Sequence, residues 1–228
     1  MSTETTSRPL EQRDVESADE AKELICRIAR LFYTLGWVTG TGGGLSIKHD
    51  QRIYMAPSGV QKEYLTPAMI FELDLDGKVV AGPDADSGLR VSQCQPLFMH
   101  AYNIRGAGAV LHSHSMAAML ATLQSGSHFT VTHLEMLKGI KGVGYQDVHS
   151  VPIIDNTPHE SDLADSLAAA IEQAEPNCHA VLVRRHGVYV WGDTWVDAKR
   201  HVECYDYLFQ AANEMRKLGI DPAAIPAN

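Results

Sequence analysis

The run Gly106-Ala107-Gly108-Ala109-Val110-Leu111-His112-Ser113-His114 constrains this chain more than any other stretch. Small and branched apolar residues between a Gly-rich entry and a polar exit read as a short buried strand over 109–111. Side chains alternate faces along a strand, so His112 and His114 point the same way, about 6–7 Å apart. Two imidazoles at that spacing converge on one cation, while Ser113 faces elsewhere. Neutral imidazole is a common zinc ligand, and three protein ligands with an open fourth position mark a catalytic zinc site. A His-x-His at a strand end also arises as two ordinary satisfied polar residues. A metal site therefore requires a third ligand and an acid–base group elsewhere. Arg185-His186-Gly187 and His133-Leu134-Glu135-Met136 offer them.

The chain has 228 residues, 45% of them hydrophobic, enough for one substantial core. Its net charge is −9 and no basic stripe is present, which argues against a nucleic-acid partner. A phosphate could still be held, by local backbone N–H groups and a few placed cations. Cys26, Cys94, Cys178 and Cys204 form no C-x-x-C pair, against a zinc ribbon or disulfide framework and for a reducing compartment. The first twenty residues lack an apolar core and do not read as a signal peptide. No apolar run approaches the roughly 18 residues of a membrane span. The expectation is a soluble, cytoplasmic protein with no membrane partner, residues 1–16 being a disordered tail and 17–228 a single domain.

Ser17-Ala18-Asp19-Glu20 reads as a capping box opening a helix that ends near Gly36. Thr39-Gly40-Thr41-Gly42-Gly43-Gly44 follows, neither a Walker A loop nor a dinucleotide fingerprint, and reads as an anion nest between helix and strand. Residues 45–47 and 53–56 read as a hairpin whose second strand ends in Pro57-Ser58-Gly59, again suited to phosphate oxygens; Lys62 nearby adds charge or is solvated surface. Asp76-Gly77 signals a second hairpin with a type I′ turn. Cys94 opens a helix to about Arg105, a place that lowers a thiol pKa, although buried cysteines are usually inert. Beyond the histidine strand, Ser115, Thr157 and Thr194 are read as helix caps, the Thr157 helix running to about Glu175, and 129–132, 151–154, 180–183 and 188–191 as strands. Short strands paired by hairpins and interleaved with helices give a mixed, largely antiparallel sheet covered by helices.

Taken together, His112-x-His114, His186-Gly187, the glycine loop and the Ser58-Gly59 turn resemble the class II aldolase superfamily. Gly36–Gly44, Ala56–Glu63, Gln93–Met99, Glu135–Ile140 and Arg184–Gly192 are similar to its branch that dehydrates a methylthio-substituted 2-keto pentose phosphate in methionine salvage. The resemblance covers about residues 20–225. It implies a three-layer α-β-α fold of the α/β class, one zinc ion per subunit on His112, His114 and His186, and a sugar-phosphate substrate. It also implies Glu135 as proton acceptor and donor, Cys94 in contact with substrate, phosphate contacts at Gly43, Gly44, Ser58 and Gly59, and a homotetramer. The superfamily's sugar-phosphate aldolases carry their catalytic glutamate at the position of Cys94, so its absence here argues against carbon–carbon cleavage. The other readings are an aldolase or pentulose-phosphate 4-epimerase of the same superfamily, and an interaction protein with structural zinc. The last requires a fourth ligand, and the sequence shows none beside the three histidines.

Overall fold

The computed structural model describes residues 13–226. Nine strands form one sheet in the order β4-β3-β2-β1-β5-β9-β8-β7-β6: β1 Gly44–His49, β2 Arg52–Met55, β3 Phe71–Leu73, β4 Val79–Ala81, β5 Ala109–Ser113, β6 His128–Val131, β7 His149–Ile154, β8 Ala180–Val183 and β9 Gly187–Gly192. Every pairing is antiparallel except that of β7 with β8. The five α-helices are α1 Ala18–Thr34, α2 Gln95–Arg105, α3 Met116–Leu123, α4 Ala164–Gln173 and α5 Trp195–Lys217. α1, α3 and α5 pack on one face with Leu45, Leu111, Leu182 and Val190, and α2 and α4 on the other with Val110, Val181, Tyr189 and Trp191. The alternation along β5, β8 and β9 sends neighbouring residues into opposite helical layers, so these central strands are apolar throughout. This is the three-layer α-β-α arrangement that the resemblance implies.

The caps at Ser17, Ser115 and Thr194 form as the sequence predicts, each side chain accepting from a first-turn N–H. Three expectations are corrected. Thr157 caps nothing: its hydroxyl donates to the carbonyl of His159, and residues 160–163 form a 3₁₀ turn before α4 begins. Asp76 keeps a negative φ, so the second hairpin has no type I′ turn; the Asp74 carboxylate instead accepts from the N–H groups of Asp76 and Lys78. Residues 1–12 of the expected tail lie outside the described residues, but 13–16 are held. Val15 is buried, the Arg13 guanidinium grips Glu20, and Trp195 Nε1 donates to the Arg13 carbonyl.

The strand directions fix what can meet what. β2, β5, β7 and β8 end at one rim of the sheet, where β1, β6 and β9 begin. The glycine loop, the Ser58-Gly59 turn, His114, the β7–α4 connection and the His186 turn all lie at that rim. β6 runs away from it, so the segment after Val131 lies at the far rim, as do the ends of β9 and the start of β7. Among the described residues no helix is long and apolar enough to cross a membrane.

Candidate metal centre

β5 and the β8–β9 turn bring three imidazoles together. Nε2 of His114 lies 2.9 Å from Nε2 of His112 and 3.0 Å from that of His186, and the remaining pair is 3.2 Å apart. An ion held tetrahedrally by imidazole nitrogens at 2.0–2.1 Å spaces its ligands about 3.3 Å apart. The trio is set almost at that spacing. Its tautomers fit as well. His112 Nδ1 faces the carbonyl of Val188 at 3.1 Å, and His186 Nδ1 faces Asn156 Oδ1 at 3.1 Å. A carbonyl oxygen only accepts, so both Nδ1 atoms carry the proton, and both Nε2 lone pairs point inward. Burial, with the neighbouring histidines, holds His112 well below its ordinary pKa; burial foremost lowers His114 to about 4 and also depresses His186. Three neutral imidazoles with converging lone pairs repel one another unless a cation lies among them. The donor set therefore fits a divalent metal ion.

Two glycines are spent on letting these rings approach. A Cβ on Gly187 would fall 2.0 Å from the backbone oxygen of Ser113, so β9 can start against the end of β5 only without a side chain. A Cβ on Gly42 would fall 2.4 Å from His114 Nδ1, while the φ of Gly42 lies outside the left-handed region that favours glycine. Gly42→Ala is therefore expected to fold but to displace the His114 ring. Metal affinity, read by competition with a chelator, should fall about tenfold or more; unchanged affinity would show that the loop does not set the ring.

Sequence reasoning named most of this rim. Gly44 pairs with His112 across β1 and β5, and a Cβ there would touch Cys94 Sγ at 3.3 Å. Gly43, at φ +73°, sits against the His112 backbone. Ser58 and Gly59 form the turn after β2, where Ser58 N–H donates to the Arg90 carbonyl. Lys62 ties the two loops together: its side chain is buried, and Nζ donates to the carbonyls of Thr41 at 3.0 Å and Val60 at 3.1 Å. Burial pulls the lysine pKa down, while the neighbouring Cys94 and Glu160 oppose that shift.

Glu135 is not at this rim. It opens the 3₁₀ turn Glu135–Gly139 four residues after β6, at the far end of the sheet, with its side chain 73% exposed and bonded to Lys138 Nζ at 2.9 Å. Leu137, Gly139 and Lys141 fasten that segment to α5 and the end of β9 through Cys204, Arg200, His201 and Asp193. Conversely, the structure puts beside the histidines a carboxylate to which sequence reasoning gave no chemical role, three residues after the expected cap Thr157. Glu160 Oε1 lies 3.4 Å from His112 Nε2, 3.1 Å from Cys94 Sγ and 2.5 Å from the Tyr189 hydroxyl. The expectation that no acid stands beside the trio is thus corrected. The residue type at 160 gave no signal, because only the parallel pairing of β7 with β8 carries the β7–α4 connection to this rim. The Cys94 thiol is fully buried and pushed well above its usual range, chiefly by burial and then by Glu160. It is a neutral S–H donor here, which removes the low-pKa thiol suggested by its place at a helix start.

A three-layer α/β domain with a trio of histidines at one sheet rim is the architecture of the class II aldolases. The chain belongs to that family: the profile described as Class II Aldolase and Adducin N-terminal domain matches residues 23–213. The solved structure of an L-fuculose 1-phosphate aldolase superposes with a TM-score of 0.73 at 22% identity, covering 93% of this chain and 92% of that one. More particularly, the chain is 54% identical over 222 residues to the methylthioribulose-1-phosphate dehydratase of Aquarana catesbeiana, covering 92% of each. It is 52% identical to the enzyme of that name from Homo sapiens, covering 92% of this chain and 90% of that one.

Proposed function

We propose that the protein is a zinc-dependent hydro-lyase that dehydrates 5-methylthioribulose 1-phosphate to 2,3-diketo-5-methylthiopentyl 1-phosphate in methionine salvage, acting as a homotetramer. The observation that carries the reading is the convergence of His112, His114 and His186 beside a glycine loop, in a chain more than half identical to dehydratases of that name over nearly its whole length. Zinc, when bound, supplies Lewis-acid polarisation of the substrate's carbonyl and hydroxyl oxygens. The three imidazoles hold it and leave one side open. The glycine loop at Gly43 and Gly44 and the Ser58-Gly59 turn, pinned together by Lys62, offer backbone N–H groups and the Ser58 hydroxyl to the phosphate, the Ser58 N–H itself being taken by the Arg90 carbonyl. The Cys94 thiol, an S–H donor at the edge of the open side, contacts the sugar.

The proton at C3 must be removed and the hydroxyl at C4 must leave as water, so one carboxylate that takes the first proton and delivers it to the second position suffices. Glu135 is that group by resemblance. It stands at the rim opposite its own histidines, on a surface turn, so it serves the site of a neighbouring copy. A head-to-tail contact of this kind sets the far rim of one subunit against the metal rim of the next and closes into a ring. Cys94 cannot act as the base an aldolase needs, since its thiol is held protonated.

The decisive assay is incubation of the zinc-loaded protein with methylthioribulose 1-phosphate, fuculose 1-phosphate and ribulose 5-phosphate. The expected product is the diketone phosphate from the first alone, lost on chelation and regained with zinc. Aldehyde fragments would instead establish an aldolase, a C4 epimer an epimerase, and inertness toward all three a non-catalytic protein.

A further inference from the structure

Among the described residues two trios of metal-capable side chains gather within 4.8 Å of one another: His112, His114 and His186, and Cys94, His112 and Glu160. The second shares a histidine with the first and contains the sole carboxylate of either. We propose that Glu160 is an exchangeable ligand of the same metal ion, closing its open side in the substrate-free protein and giving way when substrate oxygens arrive. This rests on the reading of the histidine trio as a metal site.

Three observations carry it. The first is the side from which Glu160 approaches. Its Oε1 meets His112 at Nε2, 3.4 Å away, whereas Nδ1 on the other side of the ring is taken by the Val188 carbonyl. A carboxylate that merely oriented the imidazole would bond to Nδ1–H. One facing Nε2 stands on the metal's side of the ring, 3.4 Å from that nitrogen; because Glu160 does not gather within 4.8 Å of all three histidines, it ligates by swinging its long side chain toward His114 and His186.

The second is the bonding at Oε1. The Cys94 S–H at 3.1 Å and the Tyr189 O–H at 2.5 Å both donate to it, which fixes the oxygen facing His112 Nε2. A carboxylate oxygen so held, 3.4 Å from the inward nitrogen of a histidine of the trio, is placed within reach of a cation among the rings.

The third is contrast in mounting. The histidines project from β5 and from the tight turn into β9, and the ring of His112 is stacked flat on Tyr189, centroids 4.0 Å apart at 9°. Glu160 projects from a 3₁₀ turn on a long side chain that is 18% exposed. It is anchored enough to stay at the site and free enough to turn aside.

The test uses the full chain without substrate. Zinc affinity is measured by chelator competition, and the electronic spectrum is recorded after loading with cobalt, for the unaltered protein, Glu160→Gln and Tyr189→Phe. Glu160→Gln is expected to weaken zinc binding by about 10–100-fold and to alter the cobalt ligand-field bands. Tyr189→Phe keeps the ring on His112 and removes one donor to the carboxylate, and it should retain both the affinity and the spectrum. Glu160→Asp, which draws the carboxylate back by one methylene, gives a second arm should the glutamine variant fail to fold, and the same loss is expected. Unaltered affinity and bands in the position-160 variants would overturn the proposal, and so would a Tyr189→Phe variant that reproduces their loss. An unaltered protein that takes up no metal would instead overturn the reading of the histidine trio.

Discussion

Glu135→Gln is expected to lower turnover of methylthioribulose 1-phosphate by about 10²–10⁴-fold, the usual contribution of a positioned acid–base group, while leaving bound zinc unchanged. The second half of the result separates Glu135 from the ligands. Its side chain is 73% exposed and bonds to Lys138 at its own rim, so its loss disturbs neither packing nor the imidazoles. The same geometry provides a sharper check. If the carboxylate of one copy serves the histidines of the next, an equal mixture of Glu135→Gln and His186→Ala subunits, unfolded and reassembled together, contains intact sites. Random assortment restores about one quarter of them, although neither variant is active alone. Mixed assemblies that form but stay inactive would sink the assignment across copies, and normal rates in Glu135→Gln would sink the residue's role altogether.

His186→Ala is the second large effect. Removing one of three neutral ligands should strip the ion at ordinary zinc concentrations and bring activity to background, a loss of about 10³-fold or more for a reaction that needs several kcal/mol of charge stabilisation from the metal. The apo protein should not suffer equally. His186 is half-buried at a turn, and its removal relieves the mutual repulsion of three inward lone pairs spaced 2.9–3.2 Å apart. Thermal unfolding is thus expected near that of the chelated unaltered protein, and the stabilisation that zinc confers on the unaltered chain, which follows its concentration over its dissociation constant, should vanish in the variant. A variant that retains stoichiometric zinc and turnover would show that the ion lies elsewhere.

How much of this was legible in the sequence depends on whether the signal was local. The strand with His112 and His114 is local, since alternation puts both on one face whatever surrounds it, and the caps at Ser17, Ser115 and Thr194 are local too. The glycine at 187 next to His186 marks a close approach, though not what approaches. Glu160 and Glu135 are the opposite case. Each was a glutamate in a short polar segment, and their exchange of places, one arriving at the metal rim and the other leaving it, is decided by strand direction. β7 runs parallel to β8 and β6 antiparallel to β7, and no spacing within either segment encodes that. The Thr157 motif misled for a related reason: the chain must cross from β7 to the outer layer there, and a 3₁₀ turn accomplishes this where a full helix would not.

The polarity of the sheet has a last consequence. If Glu135 is the proton carrier, a molecule with its histidine trio on one rim and that carboxylate on the other is, taken singly, two half-machines facing outward. On the proposed ring assembly, catalysis is a property of the associated state: the rate per subunit is expected to fall with dilution below the concentration at which rings dissociate, and abundance would then govern flux twice over, through copy number and through assembly.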